Sequence, residues 1–158
     1  NPLIFNDTPD IDFDAIIISD YDKGFITQKI AKKICKKFSH KKIFVDSKKP
    51  DLSCFENSII KVNEDEYKAI TNKPRNSSFI ITLGPAGAKY NSKIYPTTKT
   101  EVYDVCGAGD VFLAALVFNF LLTKNIESSI KIANKAATIS VTRSGTYVLQ
   151  KEDIEKIF

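Results

Sequence analysis

Phe79-Ile80-Ile81-Thr82-Leu83, followed at once by Gly84-Pro85-Ala86-Gly87, decides the fold class. A short run of β-branched and aromatic residues closed by glycine and proline has the length and punctuation of a strand. Towards the N-terminus the same signal recurs in Ser58-Ile59-Ile60-Lys61-Val62, in Ile43-Phe44-Val45-Asp46 and in Ala15-Ile16-Ile17-Ile18-Ser19. The last is nearly all apolar, which suits a strand covered on both faces of a parallel sheet. Two helices lie between these runs. In residues 28–38 the apolar Ile30, Ala31, Ile34, Cys35 and Phe38 recur at three- and four-residue steps, with Thr27 placed to cap the helix. A second helix opens at Asn63 and continues through Ile70, where Asn72-Lys73-Pro74 stops it. The order strand, helix, strand, strand, helix, strand predicts an open α/β architecture.

Beyond Gly87 the pattern shortens. Ala88-Lys89-Tyr90 and Lys93-Ile94-Tyr95 flank Asn91-Ser92 as a hairpin or meander rather than a crossover, and Glu101-Val102-Tyr103 predicts a short strand leading into Asp104-Val105-Cys106-Gly107-Ala108-Gly109-Asp110. A long apolar helix then runs from Asp110 to about Thr123. Another follows over residues 126–141, where Ala133, Ala136 and Ala137 permit close packing, and a third starts at Lys151. No linker, repeat or low-complexity tract divides the chain, which predicts a single domain piece over residues 1–158.

Composition bounds the function. The 158 residues are 43% apolar and 27% charged, enough for one globular core and unlike disordered or collagen-like chains. The longest apolar stretch, residues 111–122, falls short of the roughly 20 residues that span a bilayer, so a soluble, cytoplasmic protein without a membrane partner is expected. Three cysteines and one histidine fit neither a disulfide framework nor a zinc site. Chemistry is left to carboxylates, amides and backbone. Lys29, Lys32, Lys33, Lys36, Lys37, Lys41 and Lys42 cluster opposite the apolar stripe of the first helix, where a solvated face and a polyanion patch are the alternatives. The cluster lacks interleaved aromatics or arginines, and no nucleic-acid partner is expected. The absence of methionine, even at position 1, leads to the expectation of a processed chain or a fragment.

The strongest chemical signal is the bend at Gly107-Ala108-Gly109. A glycine-rich turn at a helix N-terminus presents unpaired N–H groups and the positive end of the helix dipole, which favours an anion. Asp110 sits just inside it, either to take a proton from a hydroxyl attacking a phosphoryl group or simply to favour the first helical turn. Gly84-Pro85-Ala86-Gly87-Ala88-Lys89 lacks P-loop spacing, and Phe112 stands where a dinucleotide fingerprint needs its third glycine.

Asp104-Val105-Cys106-Gly107-Ala108-Gly109-Asp110 resembles the D-[TV]-x-G-A-G-D signature of the ribokinase-like, or PfkB, carbohydrate kinases. Asn63-Glu64-Asp65-Glu66 resembles the family's N-x-x-E motif, and Thr82 through Gly87 its T-x-G-x-x-G nucleotide turn. Ala133-Asn134-Lys135-Ala136-Ala137 with residues 141–146 resembles the helix and loop that close over the base. Ser19-Asp20-Tyr21-Asp22-Lys23-Gly24 and Val45-Asp46-Ser47-Lys48 are most similar to the heptose 7-phosphate kinases of ADP-heptose synthesis.

The resemblance implies a three-layer α/β fold with a mainly parallel central sheet, of which this chain holds the C-terminal nucleotide-binding and catalytic part. The N-terminal half, with most of the sugar pocket and the lid, is missing, so the isolated chain is expected to be inactive and to need a homo-oligomeric partner or that missing half. Implied partners are a nucleotide and a small sugar; implied cofactors are ATP, Mg²⁺ and a monovalent cation. Asp110 becomes the general base and Gly107, Ala108 and Gly109 the anion hole. Thr82, Gly84, Gly87, Asn134, Gly145 and Lys48 would contact the nucleotide. Asn63 and Glu66 would hold magnesium through water, against the alternative of an ordinary helix cap; Asp104 would brace the loop or face a cation. Asn134 as a plain polar flank residue stays open, as does a noncatalytic nucleotide-binding module derived from such a kinase. Cys106 stands where the family usually has threonine, placing a thiol at a helix N-terminus where oxidation is eased.

Overall fold

The computed structural model describes residues 12–158. Its strands are β1 (Ala15–Asp20), β2 (Lys42–Ser47), β3 (Ile59–Asn63), β4 (Ser78–Thr82), β5 (Ala88–Tyr90) and β6 (Lys93–Tyr95). The helices are α1 (Gln28–Lys37), α2 (Glu64–Lys68), α3 (Ala108–Thr123), α4 (Ile126–Val141) and α5 (Lys151–Ile157). The six strands form one mostly parallel sheet in the order β1-β2-β3-β4-β5-β6. The chain divides into two compact units. One comprises residues up to Ile60 with Lys68–Ser78, the other Lys61–Tyr67 with Phe79–Phe158.

In the first unit β1 and β2 pair in parallel, Ile16 opposite Ile43 and Ile18 opposite Val45. Ile43, Phe44 and Val45 are buried, as a strand covered on both faces requires. β1 departs from that expectation: it ends the strand order and Ile17 is 49% exposed. Thr27 caps α1, its Oγ1 accepting the Ile30 N–H at 3.2 Å, and Ala31 and Cys35 point inward. The strand ends are tied by buried Asp20, which accepts the Ser47 hydroxyl at 2.9 Å and pairs with Lys49 at 3.2 Å.

Burial, with Glu56 as a lesser negative neighbour, pushes the Cys35 thiol up to about 11, and burial does the same for Cys54. Cys106 is exposed. Thiol titration of the native protein at neutral pH should therefore count one reactive cysteine, with the other two appearing only in denaturant. Rapid reaction of all three in the native state would contradict this packing.

In the second unit β4, β5 and β6 pair antiparallel, and the hairpin turn places Asn91 and Ser92 at φ 46° and 66°. Two successive left-handed residues are the type I′ pattern, whose twist matches the flanking strands. Helix α3 is apolar all round because it is buried on most sides, through Phe112, Leu113, Leu116, Val117 and Phe120. The fully buried Ala133 and Ala136 of α4 allow the close α3–α4 approach that the small residues predict. Asn119, buried in α3, donates its amide to Ser128 and Ser129 at 3.3 and 3.2 Å, which offsets its desolvation.

Two expected elements differ. Residues 101–103 form no strand: the Tyr103 and Asp104 N–H groups bond to Val141 O, at 2.7 and 3.2 Å, so a helix end takes the donors a sheet neighbour would have used. Helix α2 stops at Lys68 rather than Ile70, and Asn63 closes β3 while capping α2. No helix among the described residues is long and apolar enough to cross a membrane.

Candidate functional site

The second unit contains a cavity of about 450 Å³. The end of β4 and its turn line it through Thr82, Gly84 and Gly87, the first turn of α3 through Ala108, Gly109 and Phe112, and α4 through Asn134, Ala137 and Val141. The coil before α3 completes the wall with Thr97, Lys99 and Val105. Its size is that of an ordinary small-molecule pocket, and its floor is largely apolar, which suits a planar base.

The bend at the head of α3 borders this cavity through Ala108 and Gly109. Gly107 is the N-cap residue in the left-handed region at φ 76°, and a Cβ there would meet the Thr146 methyl at 3.0 Å. Only glycine takes that conformation without strain. Gly107 offers no capping side chain; of the first amides of α3, that of Ala108 donates to Val105 O at 3.2 Å and that of Asp110 to Gly107 O at 3.0 Å, which leaves the Gly109 N–H for a ligand. Asp104 holds the bend from behind: its Oδ1 accepts the Cys106 N–H at 2.8 Å and its Oδ2 the Gly145 N–H at 3.0 Å. Both carboxylate oxygens thus serve the backbone, which favours bracing over direct cation contact.

Asp110 lies in the first turn of α3 and is exposed, beside these amides. Lys61, which sequence reasoning missed, is only 4% exposed, and its Nζ lies 2.8 Å from where a Cβ on Gly109 would stand. A strand lysine therefore brings a buried ammonium to the glycine bend. The signal was present: a lysine inside Ile59-Ile60-Lys61-Val62 cannot be buried cheaply unless anionic or carbonyl oxygen meets it.

Other expected residues are placed differently. Asn134 lines the cavity, but its Nδ2 donates to Tyr95 O at 2.7 Å and Pro96 O at 3.5 Å. Its amide ties the hairpin exit to α4, so the side chain meets the cavity as wall rather than as a free donor to a base. The Thr82 hydroxyl donates to Val62 O at 3.3 Å. Gly145 is absent from the cavity lining and is held by Asp104. Lys48 belongs to the first unit, where its ammonium pairs with Asp46 at 3.4 Å.

Asn63 and Glu66 form a reciprocal cap, the Asn63 N–H donating to Glu66 Oε2 and the Glu66 N–H to Asn63 Oδ1, both at 2.8 Å. This is the structural alternative that their spacing allows. With one oxygen of each already engaged, a metal would meet them through its water shell. No cluster of three or more histidine, cysteine or acidic side chains suited to a metal exists among the described residues.

The loop after α4 is fastened to α5. The Tyr147 hydroxyl donates to Asp153 Oδ2 at 2.6 Å, and the Gln150 N–H reaches the same oxygen at 3.0 Å. The first of these, then the second, holds the Asp153 carboxyl below its usual range, while the same bond raises the Tyr147 hydroxyl.

Residues 13–153 match the family model described as pfkB family carbohydrate kinase. The chain belongs to this family. Among curated relatives, the bifunctional protein HldE of Sulfurimonas denitrificans is 30% identical over 91% of this chain and 35% of its own length. HldE of Campylobacter jejuni is 32% identical over 90% of this chain and 36% of its own. The chain thus spans about a third of the length of these relatives. Among solved structures, ribokinase from Thermotoga maritima superposes with a TM-score of 0.71 at 22% identity, covering 91% of this chain and 56% of that one. Phosphofructokinase-2 from Escherichia coli gives 0.75 at 18% identity, with 90% and 55% covered. At these identities the likeness shows the ribokinase-like fold alone. The pfkB match places the glycine bend, Lys61 and the cavity inside the region the family shares.

Proposed function

We propose that this chain supplies the nucleotide-binding and phosphoryl-transfer part of an ATP-dependent sugar kinase whose acceptor is a hydroxyl of a sugar phosphate of the heptose 7-phosphate kind. The observation that carries this is the buried Lys61 ammonium packed against Gly109, at a bend whose amides open on a nucleotide-sized cavity. The acceptor class rests on the HldE relatives and on the loops at Ser19–Gly24 and Val45–Lys48.

The adenine lies on the apolar wall of Phe112, Ala137 and Val141, and the phosphates extend toward the head of α3. There the amides of Gly107 and Gly109, the helix dipole and Lys61 offer positive potential where charge builds on the transferring phosphoryl group, while the expected Ala108 N–H donates to Val105 O instead. Asp110 takes the proton of the attacking hydroxyl. As the oxygen–phosphorus bond to the acceptor forms, the bond to the bridging oxygen of the nucleotide breaks and ADP departs. Magnesium, when bound with ATP, neutralises part of the phosphate charge, and Asn63 with Glu66 would hold its water shell.

Lys61→Met keeps the stem's volume and removes the charge. Charge-assisted hydrogen bonds contribute about 1.5–3 kcal/mol, so kcat/KM for ATP should fall roughly ten- to a hundredfold in the full-length protein. The assay is ADP release with a sugar panel including heptose 7-phosphate. Unchanged kinetics and unchanged nucleotide affinity would remove the phosphate site from Lys61. Nucleotide binding by the wild type, with no phosphate transferred to any sugar, would favour the noncatalytic alternative.

A further inference from the structure

The segment 142–150 is neither helix nor strand, yet it touches the catalytic bend at three places. The Gly145 N–H donates to Asp104, Thr146 Oγ1 lies 3.4 Å from Cys106 Sγ, and the Thr146 methyl occupies the space a Cβ on Gly107 would need. A bend shaped by its neighbours is only as ordered as they are. Thr146 and Gly145 are both exposed, so little packing fixes them. Besides the Asp104 bond to Gly145, the next residue fixes them. Tyr147 donates to Asp153, which is 3% exposed and caps α5 through Gln150. The Arg143 guanidinium sits 5.5 Å from the Tyr147 ring centroid, closing the same short loop from its other end.

We propose that Tyr147 and Asp153 are positioning residues of the phosphoryl-transfer site: their hydrogen bond anchors the 143–147 loop to α5, and through Gly145 and Thr146 it sets the geometry of the amides at Gly107–Gly109. This rests on the kinase assignment for its consequence but not for its geometry. Neither residue touches substrate. Both act through the loop, as supporting partners do when they preorganise a site.

The test has a readout that does not need turnover. Cys106 is exposed and leans on Thr146, so its alkylation rate by a small neutral reagent reports whether the loop is seated. Tyr147→Phe keeps the ring and its stacking with Arg143 but loses the hydroxyl. It should alkylate Cys106 about tenfold faster and weaken binding of a fluorescent ATP analogue by a similar factor. Asp153→Ala should match it. Asp153→Asn, whose amide oxygen still accepts both bonds, should behave as wild type. Melting temperatures and mass spectra of the labelled site confirm that each variant is folded and that the label is on Cys106. Equal alkylation rates and equal analogue affinities across the folded variants would overturn the proposal. So would Asp153→Asn behaving like Asp153→Ala. If alkylation responds while no protein binds the analogue, the anchor stands and the kinase assignment falls.

Discussion

Replacing Asp110 by asparagine is expected to lower kcat of the full-length protein by a factor of about 10²–10⁴, the range general-base catalysis supplies, while leaving nucleotide affinity intact. Asparagine matches aspartate in shape, so the first turn of α3 keeps its form around Gly107. It cannot accept a proton at neutral pH. Affinity should hold because the groups assigned to the phosphates are backbone amides and Lys61, none of which the substitution alters. Loss of a negative charge beside bound phosphate could only tighten binding. The helix gives up its favourable acid at the N-terminal end, a cost of about 0.3–1 kcal/mol that leaves the protein folded. Steady-state turnover with ATP and a sugar phosphate, together with equilibrium binding of the nucleotide, separates the two effects. Normal turnover would return Asp110 to the role of a first-turn electrostatic residue.

Gly87→Ala should be the most damaging change to stability. Gly87 has φ +95°, and its Cβ would lie 2.1 Å from Tyr95 O, 2.9 Å from Thr97 N and 3.0 Å from Pro96 C. All three are backbone atoms of the hairpin exit, so no side chain can swing aside. Strained conformation and overpacking each contribute a few kcal/mol, and together they should cost about 4 kcal/mol, or a factor near 10³ in the folding equilibrium. Gly84→Ala is the matched control: it also has positive φ, at +55°, but nothing lies within 4 Å of its Cβ. It should cost only about 1 kcal/mol. Urea unfolding monitored by far-UV circular dichroism compares them directly, and equal midpoints would refute the close approach. Because Gly87 and Thr97 both line the cavity, any Gly87→Ala protein that folds should also bind nucleotide more weakly.

Periodicity and punctuation were informative wherever an element's own residues decide its form. The I′ hairpin at Asn91-Ser92, the Thr27 cap and the span of α4 all appear where the sequence puts them. They depend on contacts a few residues apart. The failures share the opposite cause. Residues 101–103 carry strand-forming side chains, but which acceptor their N–H groups meet is set by α4, some forty residues later in the chain. Ile17 belongs to a run that suits burial on both faces, yet its exposure follows from the place of β1 at the end of the sheet.

The site divides along the same line. The glycine bend and its adjoining acid could be picked out from residue type and position, because a glycine-rich turn at a helix start suits an anion, whereas the turn after β4 could be named only through the family resemblance. Asn63 and Glu66 could also be named, but their spacing by itself favours a cap and only the family resemblance turns it towards a metal shell; the hydrogen bonds between them show the cap. Asn134 was visible as a polar residue on an alanine-rich helix, yet only the fold reveals that its amide is spent on Tyr95 O.

Local propensity, turn chemistry and the order of elements determined by themselves an α/β chain with a glycine bend ahead of α3, and the resemblance of its motifs pointed to the ribokinase type. Tertiary structure alone decided that the buried Lys61 lies against Gly109 at that bend and that the Tyr147 hydroxyl meets Asp153. The physical reason is range. Backbone conformation is encoded within a few residues, whereas desolvation and hydrogen-bond partnership belong to groups brought together from distant parts of the sequence, and no short pattern specifies them.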